Sequence, residues 1–233
     1  MRIVFENKPN GKFSLRQETE TTSDIVSFPR EFLADVTLLE AQPSNALLAA
    51  LILFQISEGS GVLTAPPATT QLDRTLRRVL GEHSPQLTVD PLLSVTPESH
   101  TQLLVGEYRE GKVAVQPDGK GRNVLVQCLD SARWTGKLFS VDRVVVAANV
   151  SAFDETRLSP TAFRVALGLL LAGDWKSSTL IVEESGDEEG LFSTAMMQEL
   201  CAAIGVRLLF VDGHEMEGML QDGHCLLYTS DAA

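Results

Sequence analysis

The chain opens with a hairpin pattern. Residues 2–6 and 12–17 carry strand-like apolar positions, with Phe13 and Leu15 alternating against Lys12, Ser14 and Arg16. Between them stands Asn7-Lys8-Pro9-Asn10-Gly11, whose Asn10-Gly11 dipeptide favours the positive φ values of a type I′ turn. Residues 24–28 suggest a third strand, closed by Pro29, and residues 36–40 a fourth. After Pro43 the period becomes helical, with Leu47, Leu48, Leu51, Ile52 and Gln55 at the required spacing. Ala46, Ala49 and Ala50 leave that helix almost no polar face, which predicts burial on every side. Gly59-Ser60-Gly61 ends it, residues 62–65 read as a short inner strand, and Pro66-Pro67 stops that strand. Thr70 is placed to cap the next helix, in which Leu72, Leu76, Val79 and Leu80 form one stripe and Arg77 and Arg78 point outward. Gly81 closes it, and residues 87–89 give another strand.

From residue 101 to 150 the pattern is β. Residues 101–108 and 112–116 bracket a turn at Arg109-Glu110-Gly111, and residues 123–128 and 143–148 follow. The last of these is a β-branched run suited to the centre of a sheet. Ser159 then caps a helix with Pro160 at its first position and Phe163, Ala166, Leu167, Leu170 and Leu171 inward. Residues 179–183 form a strand. Leu191, Met196, Met197, Leu200 and Ile204 mark one more helix ended by Gly205, and residues 206–211 form the last strand.

The two halves share their punctuation. Gly11-Lys12 matches Gly111-Lys112, Pro43 matches Pro160, Leu80-Gly81 matches Ile204-Gly205, and Val89-Asp90 matches Val211-Asp212. The expected fold class is α/β, with a mixed α+β arrangement as the variant. It is built of two similar hairpin-strand-helix-strand-helix-strand units, a possible internal duplication. The first unit covers residues 1–99 and the second residues 100–224, with residues 129–142 as an insertion in the second.

Pro43-Ser44-Asn45-Ala46-Leu47-Leu48-Ala49-Ala50-Leu51, with Gly59, Leu63 and Thr75-Leu76-Arg77 after it, resembles the βαβαβ repeat of enolpyruvyl transferases. Phe192-Ser193-Thr194-Ala195-Met196-Met197 before Gly205-Val206 is similar to a later repeat of that family. The family's substrate-binding lysine and arginine have no counterpart, since Gln42 and Ala46 stand there, so the resemblance implies a rhythm of elements and transfers no catalytic residue.

Composition narrows the function. A net charge of −12 opposes binding to phosphate backbones and anionic lipid, so neither a nucleic-acid nor a membrane partner is expected. The longest apolar run, residues 46–54, is far shorter than the roughly 20 residues that span a bilayer. Met1-Arg2-Ile3-Val4-Phe5-Glu6 has no leader-like apolar region. Cys128 falls in a strand and Cys201 in a helix, as expected of reduced thiols in a cytoplasmic protein. The final Cys225-Leu226-Leu227-Tyr228-Thr229-Ser230-Asp231-Ala232-Ala233 back-translates into a transposon-end sequencing adapter. Residues 225–233 are therefore expected to be a non-native tail, and the native gene to continue past about His224.

The most distinctive local feature is Glu183-Glu184-Ser185-Gly186-Asp187-Glu188-Glu189-Gly190, between a strand and a helix, where open α/β sheets bind ligands. Ser185, Asp187 and Glu188 are the cofactor-binding candidates there. Ser185-Gly186 is similar to the start of the ATP-pyrophosphatase loop, although Asp187 replaces its second glycine and Gly190 its final serine. Carboxylates before a helix also simply complement its dipole, and that reading is preferred. Pro117-Asp118-Gly119-Lys120-Gly121-Arg122 reads as a tight turn rather than an anion loop. His214-Glu215 follows a strand end, a fair place for an acid–base pair, and His214 is the fourth candidate. No histidine or cysteine spacing suits zinc, so no metal is expected, and neither a Walker loop nor a Gly-x-Ser-x-Gly elbow occurs. With no catalytic constellation beside two well-formed cores, the expected function is a non-catalytic binding or assembly module, the N-terminal part of a longer cytoplasmic protein. The alternative is a fragment of a transferase or nucleotide-dependent enzyme whose catalytic part is missing or lies at residues 183–189.

Overall fold

A computed structural model describes residues 1–18, 30–56, 63–96, 98–110, 113–115, 122–153, 156, 158–186 and 190–222. The elements in chain order are β1 (Arg2–Asn7), β2 (Phe13–Glu18), β3 (Glu31–Ala34), α1 (Pro43–Leu53), α2 (Thr70–Leu80), β4 (Thr101–Gly106) and β5 (Val113–Val115). They continue with β6 (Arg122–Asp130), β7 (Lys137–Phe139), β8 (Arg143–Ala148), α3 (Pro160–Ala172), β9 (Ser177–Glu183), α4 (Thr194–Ala203), β10 (Arg207–Val211), α5 (Gly213–Met219) and β11 (Leu220–Asp222). The fold is mixed α/β. One sheet runs in the order β1-β2-β3-β8-β6-β4-β9-β10, and β7 also pairs with β8.

The direction of pairing divides that sheet. From β8 through β6, β4 and β9 to β10 the strands are parallel, whereas β1, β2 and β3 join antiparallel and meet β8 through Ala34 and Ala148. Parallel strands are covered on both faces, so they read as continuous apolar runs, and all of β8 is buried accordingly. Leu103, Val105, Val124, Val126, Val144, Val146, Leu180 and Val182 face the main core with the helices α1, α3 and α4. The alternate positions Leu104, Leu125 and Ile181 face a smaller cluster under Met216 of α5.

Helix α1 lies in the middle of the larger core and packs on α3, while α2 packs on α4. From Ser44 to Leu53 every residue of α1 is buried, which is why its sequence has no polar face. α3 begins as its sequence dictates, with Ser159 Oγ accepting the Ala162 N–H at 3.1 Å and Pro160 in the first turn. Gly168 lets this helix settle on the sheet, because a Cβ there would stand 3.0 Å from Val105 Cγ2 and 3.2 Å from Leu180 Cδ1. At the far end, a Cβ on Gly173 would lie 2.0 Å from the Glu40 carbonyl oxygen, in a segment fixed by the bond from the Glu40 N–H to the Asp174 carboxylate. Gly173→Ala is therefore expected to lower stability by about 1–3 kcal/mol, as overpacking does. Chemical denaturation checks this, and an unchanged midpoint would contradict the contact.

Several expected elements take other forms. Among the positive-φ residues in the first turn is Gly11 (φ +78), but not Asn10, so the type I′ expectation is corrected. Gly11 instead closes a turn over Pro9 and Asn10 by donating to the Lys8 carbonyl at 3.0 Å. Residues 36–40 are not a strand. Val36 and Leu38 are buried alternately, but the Asn7 amide supplies the pairing: it accepts from the Leu38 N–H at 3.0 Å and donates to the Leu38 carbonyl at 2.6 Å. Of the strands expected at residues 62–65 and 87–89, the described residues keep single bridges, Thr64 with Arg2 and Val89 with Ala68. Thr69, not Thr70, caps α2, accepting from the Leu72 N–H at 3.0 Å.

Among the described residues, β4 and β5 do not pair as the hairpin expected across residues 109–111. β4 pairs in parallel with β6 and β9, whereas β5 pairs with β11 in a separate two-stranded sheet. α5 and β11 come after β10, which the sequence pattern makes the last strand. The strand matches between the halves therefore do not carry over, and both halves contribute to one sheet. Residues 129–142, expected as an insertion, complete β6 and return as β7 along β8. The strand expected at residues 24–28 and the tail at residues 225–233 lie outside the described residues.

Candidate functional site

The acidic turn begins at Glu183, the last residue of β9, which points to the face that carries α5. The side chain is buried, with the residue only 5% exposed. Arg109 grips it twice, Nη2 to Oε1 at 2.8 Å and Nη1 to Oε2 at 3.1 Å, and the Glu107 N–H donates to Oε2 at 2.9 Å. Glycines make room for this carboxylate: a Cβ on Gly106 would lie 2.7 Å from Oε2, and one on Gly213 3.3 Å from Oε1. Burial pushes the Glu183 carboxyl upward, but the Arg109 bonds, the Glu107 N–H and the charges of Arg109 and Arg164 prevail and hold it below its ordinary value.

Around that pair lies a polar network on the same face. Arg143 Nε donates to Gln127 Oε1 at 2.9 Å, Arg143 Nη2 to the Arg109 carbonyl at 2.8 Å, and Gln127 Nε2 to the Glu107 carbonyl. The Arg143 guanidinium also sits 5.8 Å from the centre of the Tyr108 ring. Together these bonds pin residues 107–109 to β6, β8 and β9. Glu183 is thus spent on holding the chain.

The remaining sequence candidates fall into separate places. The Ser185 hydroxyl and N–H both meet Thr161 Oγ1, each at 3.0 Å, a partner that has no base to offer. Beside them, Ser159, Thr161, Gly186, Ser193 and Thr194 line a cavity of about 110 Å³, well under the roughly 300 Å³ at which ligand pockets begin. Asp187 and Glu188 lie outside the described residues. His214 is exposed in the first turn of α5. Its neighbour Glu215 forms a capping box with Asp212, donating its N–H to Asp212 Oδ1 at 2.7 Å and accepting the Asp212 N–H at 3.1 Å. Of residues 117–122 only Arg122 is described, and it lies 4.7 Å over the Trp175 ring.

A larger pocket opens elsewhere, above the carboxyl ends of β4, β6 and β8 and beside the start of α3. Its volume is about 460 Å³. Val150, Phe153, Leu158, Phe163 and Leu167 make apolar walls, and Glu107, Tyr108, Cys128 and Arg164 supply its polar groups. Arg164 is 9% exposed and reaches across: Nη1 donates to the Glu183 carbonyl at 2.6 Å and Nη2 to Glu107 Oε1 at 2.8 Å. Cys128 is no nucleophile here, since burial and the charge of Asp130 push its thiol up to about 12. At the α3 N-terminus Pro160 has no N–H, and Ser159 already holds that of Ala162. Among the described residues no group of three or more His, Cys, Asp or Glu is placed to hold a metal, and no helix is long and apolar enough to cross a membrane.

Neither motif nor spacing singles out Arg164, Gln127 or Arg143 in the sequence. The one signal is a polar residue inside an apolar run: Arg164 among Phe163, Val165 and Ala166, Gln127 after Val124-Leu125-Val126, and Arg143 before Val144-Val145-Val146. Comparison with protein-family models, with curated proteins and with solved structures gives no match.

Proposed function

We propose that this chain is a non-catalytic binding module of a cytoplasmic protein, and that its ligand occupies the pocket at the carboxyl ends of β4, β6 and β8. The observation that carries this reading is the pocket itself. It has the volume of a small-molecule site, apolar walls and one converging cation, at the end of a parallel sheet where such folds accept ligands. The polar groups within it support binding rather than turnover: a thiol held protonated, and an arginine tied to a carbonyl and a carboxylate.

A neutral apolar fluorophore, N-phenylnaphthylamine, tests this. Saturable fluorescence enhancement with the folded chain is expected, and Val150→Trp, a substitution at a half-buried wall position, should abolish it. Enhancement that is absent, or equal in Val150→Trp, sinks the reading.

A further inference from the structure

Resting on the pocket reading above, we propose that the ligand is a monocarboxylate with an apolar body, and that Glu107 holds the place its carboxylate takes. The two bonds of Arg164 differ in kind. Nη1 is fixed to the main-chain carbonyl of Glu183, inside β9. Nη2 binds the carboxylate of Glu107, whose side chain is 66% exposed at the pocket rim. The first bond positions the guanidinium; the second joins it to a partner that can swing into water.

Arg164 itself has almost no exposure, so a guanidinium N–H released by Glu107 must find another acceptor or lose a hydrogen bond in an apolar surround. A ligand carboxylate supplies that acceptor with the same charge and geometry. The walls select the remainder of the ligand. Val150, Phe153, Leu158, Phe163 and Leu167 are hydrocarbon, so the body beyond the carboxylate is alkyl or aryl. A phosphate monoester fits worse, because its second charge meets no other cation of the wall. Glu107 then acts as an internal competitor for Arg164.

Calorimetric titration of the whole chain distinguishes the sources of such an acid and the role of the charge. The probes are octanoate and phenylbutyrate, with octanol and phenylbutanol as their neutral counterparts. At least one acid should bind more tightly than its alcohol. Glu107→Gln should tighten that acid about two- to fivefold, the strength of a half-exposed ion pair, and leave the alcohol unchanged. Val150→Trp should remove acid binding. Equal binding of acid and alcohol in both proteins, or an acid whose affinity does not rise in Glu107→Gln, overturns the carboxylate assignment while the pocket reading stands. Acid binding that survives in Val150→Trp places the acid elsewhere and also overturns the assignment. If no acid binds although N-phenylnaphthylamine does, the carboxylate assignment alone fails; if neither binds, both fail.

Discussion

Leu51→Ala is expected to destabilise the chain by about 2–5 kcal/mol, from lost transfer energy plus the cavity left behind. Leu51 is wholly buried in a helix with no solvent face, among Leu47, Leu48 and Ile52, which are buried as completely. α1 packs on α3 within the main core cluster, so its neighbours are themselves buried and collapse into the cavity is limited. For a chain of this size each kcal/mol moves the thermal midpoint by about 2–4 °C. Against a total stability of roughly 5–15 kcal/mol this is a large fraction. Scanning calorimetry reads the shift, and Leu51→Met, which nearly conserves volume, should cost under about 1.5 kcal/mol. If Leu51→Ala melts like the parent, α1 is not the centre of the core.

Arg109→Met should be as damaging for an electrostatic reason. It leaves Glu183 buried between Gly106 and Gly213 with its bidentate partner gone, and breaking a buried pair in this way typically costs about 3–5 kcal/mol. The pH dependence carries the sign. Glu183 is held below its ordinary value in the folded chain, so its contribution is present above the unfolded carboxyl's pKa and is lost as pH falls through the folded value. In Arg109→Met the main cause of lowering is gone and burial, which raises the carboxyl, remains. The variant then folds better once Glu183 is protonated. Urea unfolding at neutral and acid pH should show the gap between parent and variant narrowing as pH drops. A gap constant with pH would mean that Arg109 acts through packing alone.

Leu51 and Arg109 differ in how far their roles are legible in the sequence. The α1 core is readable because burial on all sides demands a helix without polar positions, and residues 43–53 have that composition almost throughout. The caps of α3, the β-branched run of β8 and the stripe of α2 are readable for the same reason: each follows from the periodicity or chemistry of a few neighbouring residues. The first turn shows the limit. Asn10-Gly11 marks a reversal, but the backbone places Pro9 and Asn10 inside the turn and leaves Gly11 alone in the left-handed region.

Pairing and the site are decided by the tertiary structure. Nothing local tells β5 to leave β4 for β11, or turns residues 36–40 into a coil stitched to Asn7, because those bonds join segments far apart in the chain. The acidic turn stands out as a candidate site because charge is conspicuous in a sequence, yet Glu183 is consumed by Arg109, 74 residues away. The pocket draws on the ends of three strands and the start of a helix, and its one converging cation, Arg164, looks in sequence like a flaw in an apolar run. Periodicity and capping are properties of neighbouring residues, so the sequence alone determined α1 to α4 and the core they bury. Which strand lies beside which depends on contacts between distant segments, and so only the folded chain could bring Glu107, Arg164 and Glu183 together.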